Sequence, residues 1–156
     1  MSDEPSNIKA FEVIVGHALS QLYLKFPEPV EIDGSPIAQD LGVEVVERDL
    51  GLGRIHYEYG PLSDGRSFFS LWQASLLWLR DEGFIRSGGR DFVTTAVLTK
   101  EALIVMNKFP EGLSHQKTIG TQITEAAKGS GKAAGTTVMG ELVGQIIGGV
   151  TKSFLG

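Results

Sequence analysis

The chain contains no cysteine, which excludes disulfides, thiolate metal ligands and thiol nucleophiles together, and fits a reducing compartment such as the cytoplasm. Histidine is scarce too: His17, His56 and His115 lie far apart, and none belongs to a metal-spacing motif. No serine sits in a G-x-S-x-G elbow, and Asp33, Asp40, Glu44 and Glu47 read as caps and solvated charge rather than as a catalytic pair. Basic charge is short over most of the chain. Residues 1–115 carry ten Lys/Arg against seventeen Asp/Glu, a net −7, and residues 116–156 carry four against two, a net +2. An acidic body repels phosphate backbones at long range and disfavours general nucleic-acid binding. Residues 1–7 are polar and acidic rather than basic and then apolar, so they read as a short disordered lead and not as a secretory signal.

What is present is the composition of a globular domain, 42% hydrophobic and 21% charged, with 20 glycines distributed unevenly. The run Ala126, Ala127, Lys128, Gly129, Ser130, Gly131, Lys132, Ala133 imitates a phosphate-binding loop. It lacks the first glycine, places Ala133 where a metal-ligating hydroxyl is needed, and follows a helix-forming stretch instead of a strand. No catalytic residue, cofactor site or metal site is therefore expected, and the chain is not expected to be an enzyme.

Periodicity places the elements. Phe11, Val15, Ala18, Leu22 and Phe26 recur at three- and four-residue steps and predict a helix over 8–26, capped by Ser6 or Asn7 and stopped by Pro27. Residues 30–32 read as extended, and Ser35 as the cap of a short helix over 36–41. Residues 43–50 and 54–59 read as strands, the second half-buried because Ile55, Tyr57 and Tyr59 alternate with Arg54, His56 and Glu58. Apolar residues surround most of a helix over 67–82, which Gly83 ends. In that helix Trp72 and Trp78, six residues apart, must face different directions, one toward the core and one partly outward. Residues 84–86 and 92–98 then form a hairpin, and Thr99 caps a helix over 100–108 with Leu103, Ile104 and Met106 inward.

The step Leu79, Arg80, Asp81, Glu82, Gly83, Phe84, Ile85, then a short hairpin, then Leu98, Thr99, Lys100, Glu101 resembles the core of winged helix-turn-helix domains, most of all those of small bacterial proteins of this architecture. The resemblance implies an α+β fold with a winged-helix-like core of three helices plus a β-hairpin wing over 8–112; the spacing of glycine and apolar residues beyond it makes 113–156 a glycine-rich helical tail. The resemblance leaves 42–65 as an inserted or peripheral strand pair. In DNA-binding members the helix before the wing presents basic and amide groups. Here it offers Gln73 and Arg80 among apolar and small residues, and the wing adds Arg86 and Arg90. A nucleic-acid contact would fall to Arg86, Arg90 and Gln73, whereas Trp78 is the candidate hot spot for a protein partner.

The tail carries the least ordinary pattern. Gly140, Gly144 and Gly148 repeat every fourth residue within 133–151, where Glu141 is the sole charge. Glycines at that spacing share one helix ridge and permit close backbone approach, at a cost of roughly 1 kcal/mol each relative to alanine. Met139, Val143, Ile146 and Val150 fit the seam of a short coiled coil, so the tail is expected to dock on its own body or on the same tail of another subunit. Gly129, Ser130 and Gly131 weaken the centre of the tail, so either one helix or two, over 116–128 and 133–154, satisfies the pattern. The expected function is a non-enzymatic interaction module that self-associates through this tail as a homo-oligomer and binds a protein partner. The alternatives are a DNA-binding transcriptional regulator and an effector whose tail inserts in a membrane.

Overall fold

The apolar stripe of the first helix decides where the centre of the molecule lies. In the computed structural model, which describes residues 6–110, 117–129 and 133–155, with side chains in the last stretch described for 138–150, helix α1 runs over Ser6–Lys25 and is buried from Val13 through Ser20. It packs against four other helices and one strand. Residues 6 and 7, expected in the lead, already belong to this helix; the rest of that lead lies outside the described residues.

The remaining elements follow the sequence closely. Strand β1 is Val30–Glu31, helix α2 Ser35–Asp40, strands β2 and β3 Val45–Gly51 and Arg54–Tyr59, and helix α3 Phe68–Asp81. Strands β4 and β5 are Ile85–Ser87 and Thr95–Leu98, and helices α4, α5 and α6 are Lys100–Met106, Ile119–Lys128 and Ala133–Leu155. The fold is thus mixed helix and strand, with two small antiparallel sheets among the described residues. One has the order β1-β5-β4, with Val30 opposite Ala96 and Ile85 opposite Leu98; the other is the β2–β3 hairpin. Ser67, Thr99 and Thr118 cap α3, α4 and α5 by accepting the N–H groups of Ser70, Ala102 and Thr121. Gly83 takes the positive φ that closes α3. Ser35 is not a cap. It is the first residue of α2, and its N–H donates to the Asp33 carboxylate, so the aspartate two residues upstream satisfies that helix end.

Two expected faces turn out differently. In α4 the inner side is formed by Ala102, Val105 and Met106, while Ile104 is exposed, a rotation set by α6 packing over that surface. In β3 the alternation is real but buries little: Ile55 and Tyr57 are exposed and only Tyr59 reaches the body, against Phe68 and Trp72. The hairpin stands away from the core because its own register supplies nearly all its contacts.

The tail folds back on its own chain. Met139, Leu142, Val143, Ile146 and Val150 are buried in the common core with residues of α1, α4 and α5, each burial contributing about 1.5–3 kcal/mol. Of the two expected dockings, on the chain's own body or on the tail of another subunit, these side chains make the first. Within the chain a Cβ on Gly144 or Gly148 would meet nothing within 4 Å, and both glycines lie on the exposed side of α6. Close approach occurs instead where Gly16 of α1 meets Met139, where Gly120 of α5 meets Tyr23, and where Gly149 faces Val105 at 2.7 Å from an added Cβ; Gly140 lies against Glu12. Among the described residues no helix is long and apolar enough to cross a membrane.

Candidate interaction surface

Helices α1 and α3 diverge enough to leave an open groove of about 400 Å³, lined by Asn7, Ile8, Phe11, Leu71, Ala74, Ser75 and Trp78. Trp78 keeps 38% of its surface exposed. Its ring is held edge-on to Phe11 at 5.3 Å and stacked on Phe84 at 5.7 Å, so the indole is fixed in place while one side faces solvent. Trp72, at 8% exposure, is the inward member of the pair, stacked on Phe68. The six-residue spacing separated them as expected.

Both walls of the groove are anchored. The Ser6 hydroxyl, at the start of α1, donates to Asp64 at 3.2 Å in the loop that precedes α3. The Asp64 carboxyl is held below the ordinary range by the backbone N–H of Arg66, helped by the Ser6 hydroxyl and the Arg66 guanidinium. On the other wall, the Ser75 hydroxyl donates to the Leu71 carbonyl at 2.7 Å and offers no competing polar group to the groove.

The polar side chains of α3 face the other way. Gln73 is only 7% exposed, and its amide brackets one residue of the loop between β4 and β5: Nε2 donates to the Val93 carbonyl at 3.1 Å, and Oε1 accepts from the Val93 N–H at 2.8 Å. Arg80 donates from Nη1 to the Gly89 carbonyl at 2.9 Å and from Nη2 to the Arg90 carbonyl at 3.3 Å. The expectation that Gln73 could reach a nucleic acid is therefore corrected, because both ends of its amide are engaged in the interior. Arg86 and Arg90 are exposed, and Asp91 follows Arg90 in the chain. Sequence periodicity could not foresee the bracketing, since Val93 lies twenty residues downstream of Gln73. Gln21 does the same for Asp33, donating to its carbonyl at 2.9 Å and accepting its N–H at 2.7 Å.

The exposed stripe of α3 is consequently Ser70, Ala74, Trp78 and Asp81, without a basic residue. A second aromatic surface joins Phe69 of α3 to Phe92, both exposed, with rings 6.2 Å apart. Its base is Trp72, whose ring leaves no space for a side chain at Gly34: an added Cβ would lie 2.7 Å from it.

One polar pair was missed altogether. His17, 3% exposed on α1, contacts the Asp40 carboxylate through Nε2 and ties α2 to α1. Asp40 is thus a nearly buried partner rather than solvated charge. The signal was weak because nothing in the sequence relates positions 23 residues apart. Among the described residues no group of three or more His, Cys, Asp or Glu side chains gathers to hold a metal.

No family model matches the chain, and no curated protein or solved structure matches it either.

Proposed function

We propose that the chain is a winged-helix-like protein-interaction module that receives its partner in the α1–α3 groove around Trp78. Three observations support the architecture in this reading. The order helix, strand, helix, helix, hairpin is the order of a winged-helix core once β2–β3 is set aside as an insertion. The first short strand pairs with the second arm of the wing, giving β1-β5-β4. The helix before the wing is capped by Ser67 and ended by the expected Gly83.

The observation that carries the function is the outward face of α3. Where a DNA reader presents basic and amide groups, this helix presents a fixed tryptophan beside a mostly apolar groove, and its Gln73 and Arg80 bind the wing backbone. A half-exposed tryptophan held by aromatic neighbours is the type of anchor on which interface energy concentrates. The C-terminal helix acts as part of the core in this reading and does not carry recognition.

Selection of a random peptide library on the intact chain tests the proposal. Selected peptides are expected to carry an aromatic or aliphatic anchor, to blue-shift tryptophan fluorescence, and to lose at least about tenfold in affinity on Trp78→Ala. The Arg86→Ala/Arg90→Ala pair is expected to leave them unaffected. Salt-dependent binding of random duplex DNA that disappears with the arginine pair, or peptides indifferent to Trp78, would overturn it.

A further inference from the structure

Among the described residues the β2–β3 hairpin has an open strand edge, with charged and apolar side chains in solvent and a tip at which Leu52 is fully exposed with φ of 56°. We infer that strand β3 pairs antiparallel with β3 of a second copy of this chain about a twofold axis at His56, forming a four-stranded sheet β2-β3-β3-β2. This surface is separate from the α1–α3 groove and does not depend on it.

The hydrogen-bonding phase comes first. The Gly60 N–H donates to the Glu44 carbonyl at 2.8 Å, continuing the register that sets Val45 opposite Tyr59 and Glu47 opposite Tyr57. Antiparallel pairs alternate between bonded and non-bonded, so the pairs that contain Ile55 and Tyr57 are non-bonded within the hairpin. Their N–H and C=O groups therefore point out of the open edge of β3. A twofold axis at His56 sets Ile55 opposite the partner's Tyr57, and these outward groups meet as bonded pairs in the correct phase.

The side chains then select this register. Arg54 falls opposite the partner's Glu58, and Glu58 opposite the partner's Arg54, which makes two reciprocal ion pairs on one face. Glu58 already accepts from Arg48 at 2.9 Å, and its carboxylate has capacity for a second donor. On the opposite face Ile55 and Tyr57 of both copies join into one apolar cluster. The same register brings the exposed Leu52 of each tip alongside the partner's Gly60, at the base of the other hairpin.

The other edge does not offer this. Pairing β2 with itself about Arg48 opposes two arginines and sets Glu47 against the partner's Asp49; pairing about Glu47 opposes two glutamates. Like charges directly opposite are destabilising. A lone two-stranded hairpin is marginal in water, and two more strands supply what it lacks.

Because the chain has no cysteine, His56→Cys introduces a single thiol that the axis places against its own copy, at the Cα separation of about 4.5 Å typical of a non-bonded antiparallel pair and within disulfide reach. Under mild oxidation His56→Cys is expected to yield a disulfide-linked dimer, and Leu52→Cys, at the more exposed tip, is expected to remain unlinked. In sedimentation of the intact chain, Arg54→Glu and Glu58→Arg alone should each weaken the dimer at least about tenfold, and an equimolar mixture of the two should restore it as a heterodimer. A wild-type chain monomeric from micromolar to millimolar concentration would overturn the inference. So would equal cross-linking at positions 52 and 56, or a mixture no more associated than its components.

Discussion

Helix α6 and the β2–β3 hairpin are both amphipathic in sequence, and the fold treats them in opposite ways. The helix turns Met139, Val143, Ile146 and Val150 into the core of its own chain, and the hairpin leaves Val46, Leu50, Ile55 and Tyr57 in solvent. Local pattern is not what separates them. The helix returns across a surface made by α1, α4 and α5 that has apolar groups and small residues to receive it. The hairpin leaves the body at Val45 and returns at Tyr59, and its contacts with the body are few. An apolar stripe thus reports that a partner surface is needed without naming the chain that provides it.

The contrast is sharpest in a pair of substitutions. Ile146→Asp places a charge where exposure is 0%, and a loss of about 4 kcal/mol or more in urea unfolding is expected, enough to unfold much of the population. Ile55→Asp, read in the dilute monomer, should change stability by no more than about 0.5 kcal/mol. Equal effects would mean that the hairpin is as much a part of the core as the tail.

The His17–Asp40 contact bears on how firmly α2, the element that leads into the hairpin, is fixed. Asp40→Ala leaves a buried imidazole without its partner and should cost about 1–3 kcal/mol, measured by the urea midpoint of the intact chain. A loss under about 1 kcal/mol would place the pair among weak surface bridges.

Within α6 the comparison narrows to neighbouring glycines. Gly148→Ala, with open space before it, should stabilise by roughly 0.5–1 kcal/mol through helix propensity. Gly149→Ala meets buried Val105 at 2.7 Å and should destabilise instead. Thermal unfolding of the two variants is expected to shift in opposite directions.

The smallest effect belongs to the base of the hairpin. Burial pushes the Tyr59 phenol above the ordinary tyrosine range, against the opposing hydrogen bond with Ser35, and Asp33 adds to the rise. The neutral phenol is therefore favoured in the folded chain. Its contribution is fully present below pH 10.0 and is lost as pH rises through the elevated value. Comparing the alkaline fall in stability of the native chain with that of Tyr59→Phe measures it; identical curves would show that Tyr59 has no part in the fall.

Much of the element order was legible in the sequence because caps and breakers act locally. Thr99 and Gly83 each determine a boundary through the backbone within a few residues. The candidate site was half legible. Trp78 could be set apart from Trp72 by helical angle alone, but its groove depends on Phe11, 67 positions earlier, and on the gap between α1 and α3. The roles of Gln73 and Arg80 were not legible, since an amide or guanidinium reads the same whether it faces a phosphate or a backbone carbonyl.

The sequence by itself determined the order and type of most helices and strands and the shortage of basic and thiol chemistry, because these depend on backbone preference and composition. The tertiary structure alone decided which glycines meet other atoms, that Gly16, Gly120 and Gly149 do and Gly144 and Gly148 do not, and which apolar stripe is covered. Such decisions belong to pairs of surfaces distant in the chain, and the free energy of burial exists only once both surfaces have met.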